Sequence, residues 1–335
     1  MLINSLLANR GGYLSSSSRD SYWDSLKFWL MALVVLGHTM ELGLLTESPQ
    51  MRWVKATYES IYLFHMPLFI FVSGIFSKLK ERKRYIKGVL LIFETYIVFQ
   101  FLHFALSHAS VSAFFLRPKL WYLLSLVYYR LIILAVGNWI DEHRVWAVVL
   151  SILLCAAVGF LPGTEILAIQ KTISYLPFFV CGYLMTTQTA KDITHRLPVW
   201  LAFVLLIVVF IFYAYTGKVS SPYSKYAYGV KISSMCHRLT LLPITAIVAL
   251  AFMRIIKSNT IFSNLGQSTL FIYAIHTFVI SVMLVLINRG FLPNNYLALF
   301  GYAVILFITT AYCGQFDVVK WALNPISKTI EKIKQ

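Results

Sequence analysis

Charge is what this chain has least of. With 13 Asp and Glu and 29 Lys and Arg, charged residues make up only 13% of 335. A soluble domain carries roughly a quarter, so the scarcity argues against a water-soluble fold. Cysteine is sparse as well. Cys155, Cys181, Cys236 and Cys313 sit within or at the ends of apolar segments without metal-ligand spacing; they read as packing residues, and no metal is expected. No ten-residue alternation of apolar and polar residues occurs, which excludes the pattern of an outer-membrane barrel. The polar first 20 residues, with Ser15–Ser18 near their end, lack the early apolar core of a signal peptide. No internal repeat, long linker or soluble second domain is visible.

What fills the chain is hydrocarbon. Hydrophobic residues account for 59%, and segments such as Val199–Tyr213 and Tyr296–Tyr312 are apolar all round rather than on one face. Such stretches approach the roughly 20 residues that cross about 30 Å of bilayer core. Spans are expected at about 24–45, 57–77, 88–107, 120–137, 145–161, 171–187, 198–216, 233–253, 268–288 and 296–316. The expected fold is all-α, a polytopic membrane protein of about ten transmembrane helices with both termini cytoplasmic. Its expected organisation is a polar tail over 1–20, a ten-helix domain over 21–318 and a cytoplasmic tail over 319–335.

A formal charge of +16 can signal nucleic acid, but its distribution here signals topology. With the N-terminus inside, 18 Lys and Arg fall on the cytoplasmic side, among them the cluster Lys78, Lys80, Arg82, Lys83, Arg84 and Lys87, against nine on the other. That bias is the positive-inside rule. Membrane lipid is therefore the expected partner, and nucleic acid is not. The cluster is a headgroup anchor or a holder of a phosphorylated cofactor. The largest external loop, Gly217–Ile232, is rich in Ser, Tyr and Lys, which suits a polar, sugar-containing substrate or any solvated loop.

Ionisable groups within spans are costly unless they face a cavity or a partner, so they are the candidates for function. The first span holds Asp24, Lys27, His38 and Glu41. Lys27 and His38, 11 residues apart, return to nearly one face about 16 Å apart. His38 and Glu41 stand at i,i+3, where a carboxylate can orient or charge an imidazole. That is how a general base is held, although a packed, hydrogen-bonded histidine gives the same pattern. His65 lies in the second span, beside Pro67, at about the depth of His38, some 10–12 Å below the external surface. Weaker candidates for a cavity are Arg130, expected to pair with a carboxylate such as Glu94, the pair His237 and Arg238, and His276 in the cytoplasmic half of its span.

Several fragments in order resemble the acyltransferase family 3 membrane proteins, in particular the fucose 4-O-acetylase-like branch. They are Asp24-Ser25-Leu26-Lys27 leading to Gly37-His38, Phe64-His65-Met66-Pro67-Leu68-Phe69 with Ser73-Gly74, Arg84 and Lys87, Leu120-Trp121-Tyr122-Leu123, Pro177–Tyr183 and Ser268–His276. Lys27 stands where the family more often has arginine, and the usual proline after the basic pair is missing. The resemblance implies an O-acyltransferase of the bacterial cytoplasmic (inner) membrane. It would move an acyl group, acetyl above all, from cytoplasmic acetyl-CoA to a glycan or lipid-linked sugar at the external face. His38 would act as base or acyl carrier, with Glu41 and His65 as catalytic partners. Lys27, Arg84, Lys87, Ser73 and Trp121 would bind the donor. A homo-oligomer or a separate extracytoplasmic transfer partner is also implied, since no fused esterase-like domain is expected. The competing class is a transporter or flippase of a lipid-linked saccharide, but no matched pair of repeats is found.

Overall fold

A computed structural model describes residues 20–107, 119–161, 166–217, 232–266 and 269–316. The expected tails (1–19 and 319–335) and residues 218–231 of the large loop lie outside them. The helices are α1 (Ser21–Leu45), α2 (Met51–Ile75), α3 (Arg82–Ser107), α4 (Trp121–Glu142), α5 (Arg144–Ala157), α6 (Ile169–Leu184), α7 (Thr187–His195), α8 (Val199–Thr216), α9 (Ile232–Ile255), α10 (Thr260–Leu265), α11 (Thr269–Asn288) and α12 (Tyr296–Cys313). Among the described residues, nine helices are long and apolar enough to cross a membrane. The expected fifth span is the exception: α5 with its 3-10 extension to Phe160 is shorter than the other nine. The protein is an all-α polytopic membrane protein.

Two connections carry helices that apolar runs could not announce. The polar α7 is capped by Thr186, whose side chain accepts from the Thr189 amide, and α10 by Asn259, which accepts from Ile261 and Phe262. These caps satisfy amides that would otherwise face hydrocarbon or headgroups unpaired. Helix α4 runs beyond the expected 137, with a break from helical geometry at Val136, before Gly137.

Packing divides the chain into two compact units. The first holds α1, α2 as far as His65, α8, the end of α9 from Val248, and α10–α12. At its centre α1 packs on α12, α10 and α11, with Phe28 stacked on Phe262 at 5.0 Å and edge-on to Phe307 at 4.8 Å. A cluster of Met40, Leu42, Val54, Ile287 and Leu299 closes the far end. The foot of α1 is tied to the last turn of α9 and the segment after it. Tyr22 donates to the Met253 carbonyl, and Ser25 and Asn259 bond each other through backbone and hydroxyl. By contrast, α8 touches little: Trp200, Phe203, Val204, Ile207, Val208 and Ile211 are all exposed, as lipid-facing residues are.

The second unit holds α2 from Met66, α3–α7 and α9 up to Ile247. Helices α2 and α6 meet through glycine. A Cβ on Gly74 would run into the Phe179 carbonyl oxygen, and one on Gly182 into the Phe71 carbonyl. Small residues of this kind let membrane helices approach backbone to backbone. Next to that crossing, Tyr129 stacks on Phe179 at 4.4 Å and donates to the Thr172 carbonyl, while Ser125 and Thr172 share a hydrogen bond.

Candidate active site

The first unit gathers one group of titratable side chains. Helix α1 carries His38 and, one turn later, Glu41, whose Oε2 lies 2.9 Å from His38 Nδ1. The i,i+3 spacing read in the sequence therefore makes a real pair. Both side chains keep partial access, 34% and 42% exposed, so a reactant can reach them. From α2 the Tyr62 hydroxyl stands 3.3 Å from the same nitrogen. His276 of α11 faces His38 with ring centroids 5.2 Å apart, and His65 stands edge-on to Tyr62 at 4.9 Å.

Hydrogen bonding separates the three imidazoles. His65 Nδ1 donates to the Ile61 carbonyl at 2.7 Å, and His276 Nδ1 to the Ile272 carbonyl at 3.1 Å. Each thus spends one nitrogen on its own helix, which assigns the Nδ1–H tautomer. Both are also deeply buried, at 3% and 1% exposure. His38 instead presents Nδ1 to a carboxylate, a negative group that can stabilise a gained proton. The same tautomer leaves its Nε2 lone pair for a reactant. Among the described residues, no group of three or more His, Cys, Asp or Glu is arranged to hold a metal ion.

Counting within one helix puts His276 in the cytoplasmic half of its span and does not say what it meets; its ring centroid stands 5.2 Å from that of His38. The reason is where α11 starts. Gly266 lies against the backbone of Asp24, and from there α1 climbs 14 residues to His38 while the other chain climbs ten to His276. At about 1.5 Å per residue those rises differ by only about 6 Å, which tilt and side chains absorb.

Lys27 is also in the first unit, 4% exposed, with Nζ 2.5 Å from Asp24 Oδ1. A carboxylate one turn away neutralises it, a partner the donor-binding reading did not give it. The other expected donor residues lie in the second unit. Arg84 and Lys87 are exposed near the start of α3. Ser73 donates to the Phe69 carbonyl and shares a 2.7 Å hydrogen bond with the Tyr122 hydroxyl. Trp121 stacks on Tyr175 at 5.4 Å, with Lys171 over its ring. Arg130 is buried, and instead of the expected carboxylate such as Glu94 it faces the Tyr85 ring, 5.4 Å from guanidinium carbon to ring centre. His237 is exposed, whereas its neighbour Arg238 is 4% exposed and donates to the Cys155 carbonyl and the Ser174 hydroxyl. The two are therefore not one site: the first faces outward and the second is built into the core.

Two residues of the site were missed. Tyr62 bridges His38 and His65, and Gly37 makes room for it, since a Cβ there would come within 2.9 Å of the Tyr62 ring. A signal existed in the sequence. Tyr58, Tyr62 and His65 fall at i, i+4 and i+7, one helix face, and Tyr58 indeed stacks on Tyr62 at 4.0 Å.

A many-helix membrane protein with a carboxylate-held histidine in a packed helical group has the parts of a membrane-embedded transferase. The match to known families makes the class definite: residues 20–314 fit the family described as "Acyltransferase domain", and the chain belongs to it. Two curated relatives share part of it. A "Nodulation protein NolL" of Mesorhizobium japonicum is 36% identical over 75 residues, 22% of this chain and 20% of that protein. The protein of the same name from Sinorhizobium fredii is 39% identical over 59 residues, 18% and 16% respectively. The matched stretch thus spans at most a fifth of these relatives' length. No solved structure matches the chain.

Proposed function

We propose that this membrane acyltransferase moves an acetyl group from cytoplasmic acetyl-CoA to a hydroxyl of a cell-surface glycan or lipid-linked sugar at the external face of the bacterial cytoplasmic membrane. The observation that carries the reading is the 2.9 Å bond between His38 Nδ1 and Glu41. Glu41 and the Tyr62 hydroxyl hold the ring so that Nε2 takes the proton of the acceptor hydroxyl while that oxygen attacks the thioester carbonyl. The tetrahedral intermediate then collapses, the C–S bond breaks, and the imidazolium returns its proton to the departing CoA sulfur. With His38 as carrier, Nε2 attacks the thioester carbonyl, the C–S bond breaks and CoA leaves as thiolate; the sugar hydroxyl then displaces the imidazole from the acyl carbon, and its proton passes to the CoA thiolate. His276 and His65 are held by their Nδ1 atoms on their own helices, and His276 faces the His38 ring. Arg84 and Lys87, exposed on α3, suit the donor's phosphates. The bacterial origin of both relatives supports the membrane assigned.

The test is direct. Purified protein is incubated with acetyl-labelled acetyl-CoA and glycan lipid extracted from a deletion strain. Free CoA and alkali-labile label on the glycan are expected, and both are lost with His38→Ala. Intact thioester after long incubation, with glycan lipid present, overturns the reading and favours a carrier of lipid-linked saccharide.

A further inference from the structure

Arg130 and Tyr85 make a second, separate feature, inside the second unit. Arg130 is 8% exposed and Tyr85 8% exposed. Among the described residues, Arg130 Nε and the Tyr85 hydroxyl are both buried with no hydrogen-bond partner. These are two adjacent donors, one of them cationic, in the core of a helical membrane protein. The face-on contact between them recovers only a small part of the cost of burying a guanidinium, which is otherwise repaid by an anion. The hydroxyl pair of Ser73 and Tyr122 lies in the same unit, with Tyr122 about two turns before Arg130 on α4. The local fold brings Arg130 and Tyr85 to within about 6 Å of one level along the helices. Gln100 of α3 accepts from the Lys119 amide, and counting from that tie, Tyr85 is 15 residues down α3 and Arg130 11 down α4.

We infer that Arg130 and Tyr85 form a binding site for a phosphate group. A planar guanidinium with a free edge and a phenol donor beside it match the several acceptor oxygens of a phosphate ester or diphosphate. Two sources offer that chemistry: the phosphates of the acyl donor and the diphosphate of a lipid-linked sugar. Only the choice of source rests on the function proposed above; the site itself does not.

The experiment measures thermal stability and binding of the purified protein with three probes: CoA, inorganic pyrophosphate and farnesyl diphosphate. The wild type is expected to bind and be stabilised by at least one. Arg130→Gln should weaken that binding about tenfold or more while leaving the ligand-free protein as stable as before, because the deleted charge was uncompensated. Tyr85→Phe, which keeps the ring and removes one donor, should weaken it less. Arg130→Lys decides the case if the glutamine variant does not fold, since it keeps charge without the fork and should bind worse than wild type. His38→Ala should bind as wild type. Stabilisation by CoA assigns the donor as source. Stabilisation by farnesyl diphosphate without CoA supports the site and assigns it to the lipid-linked sugar. Wild-type binding by none of the three, or binding unchanged by Arg130→Lys and Tyr85→Phe, overturns the site. So does an Arg130→Gln protein that is destabilised without ligand yet still binds normally.

Discussion

Gly37 and Tyr62 fit one another as groove and plate: the ring edge of Tyr62 occupies the space where any other residue at 37 would place its Cβ. Tyr58 stacks on the face of Tyr62 at 4.0 Å, which restricts how the ring can turn. Gly37→Ala should push it off His38 Nδ1. With misplacement near the chemistry the expected loss is about ten- to a hundredfold in kcat, at nearly unchanged KM for acetyl-CoA. Steady-state kinetics on a monodisperse preparation check this. Tyr62→Phe, which keeps the plate and removes the hydroxyl, should lose less.

His38 and Glu41 should separate in size of effect. Removal of a general base costs about 10²–10⁴ in rate, so His38→Ala should bind acetyl-CoA and transfer almost nothing. Glu41→Gln keeps a hydrogen-bond acceptor beside Nδ1 and gives up only the charge, so its loss should be smaller. Full transfer by well-expressed His38→Ala would move the role to another group, and His65 would be the first to test.

The crossing of α2 and α6 should be intolerant of a single methyl. Gly182→Ala aims a carbon at the Phe71 backbone, which cannot swing aside as a side chain can. Overpacking of this kind costs about 1–3 kcal/mol, read as a lower Tm in detergent. Gly301→Ala, with nothing within 4 Å of its Cβ, is the control and should leave Tm unchanged.

Orientation can be tested at exposed positions. In a cysteine-free background, Arg82→Cys should react with an impermeant thiol reagent only from the cytoplasmic side, and Arg289→Cys only from outside. Labelling of both from one side would refute the expected arrangement of spans.

The sequence revealed nine of the ten expected spans because a bilayer reads hydrophobicity summed over about 20 residues. It revealed the His38–Glu41 pair because i,i+3 neighbours on one helix are fixed by helical geometry alone. Contacts between helices were less legible. The facing of His276 and His38 depends on where α11 begins relative to α1, a matter of loop path and tilt. Burial of a lone cation is costly, which predicts a carboxylate beside Arg130; that the neighbour is an aromatic ring on α3 depends on which turns of two helices face each other. The helices α7 and α10 escaped because polar caps, not apolar runs, define them.

The foot of α1 bears on how the chain enters the membrane. Its tertiary partners, Met253 and Asn259, lie 231 and 234 residues further along, so they do not yet exist when the ribosome releases α1. A helix with a buried lysine and aspartate would have to wait in the translocon for them if those charges were exposed to lipid singly. The Lys27–Asp24 pair, closed within one turn, cancels its own charge from the moment the helix forms. Helix α1 can therefore partition into lipid alone, and the last turn of α9 with the segment after it locks onto a foot already in place. Separating the two residues, as in Asp24→Asn, would strike first at insertion and yield of the protein, before any effect on the chemistry at His38.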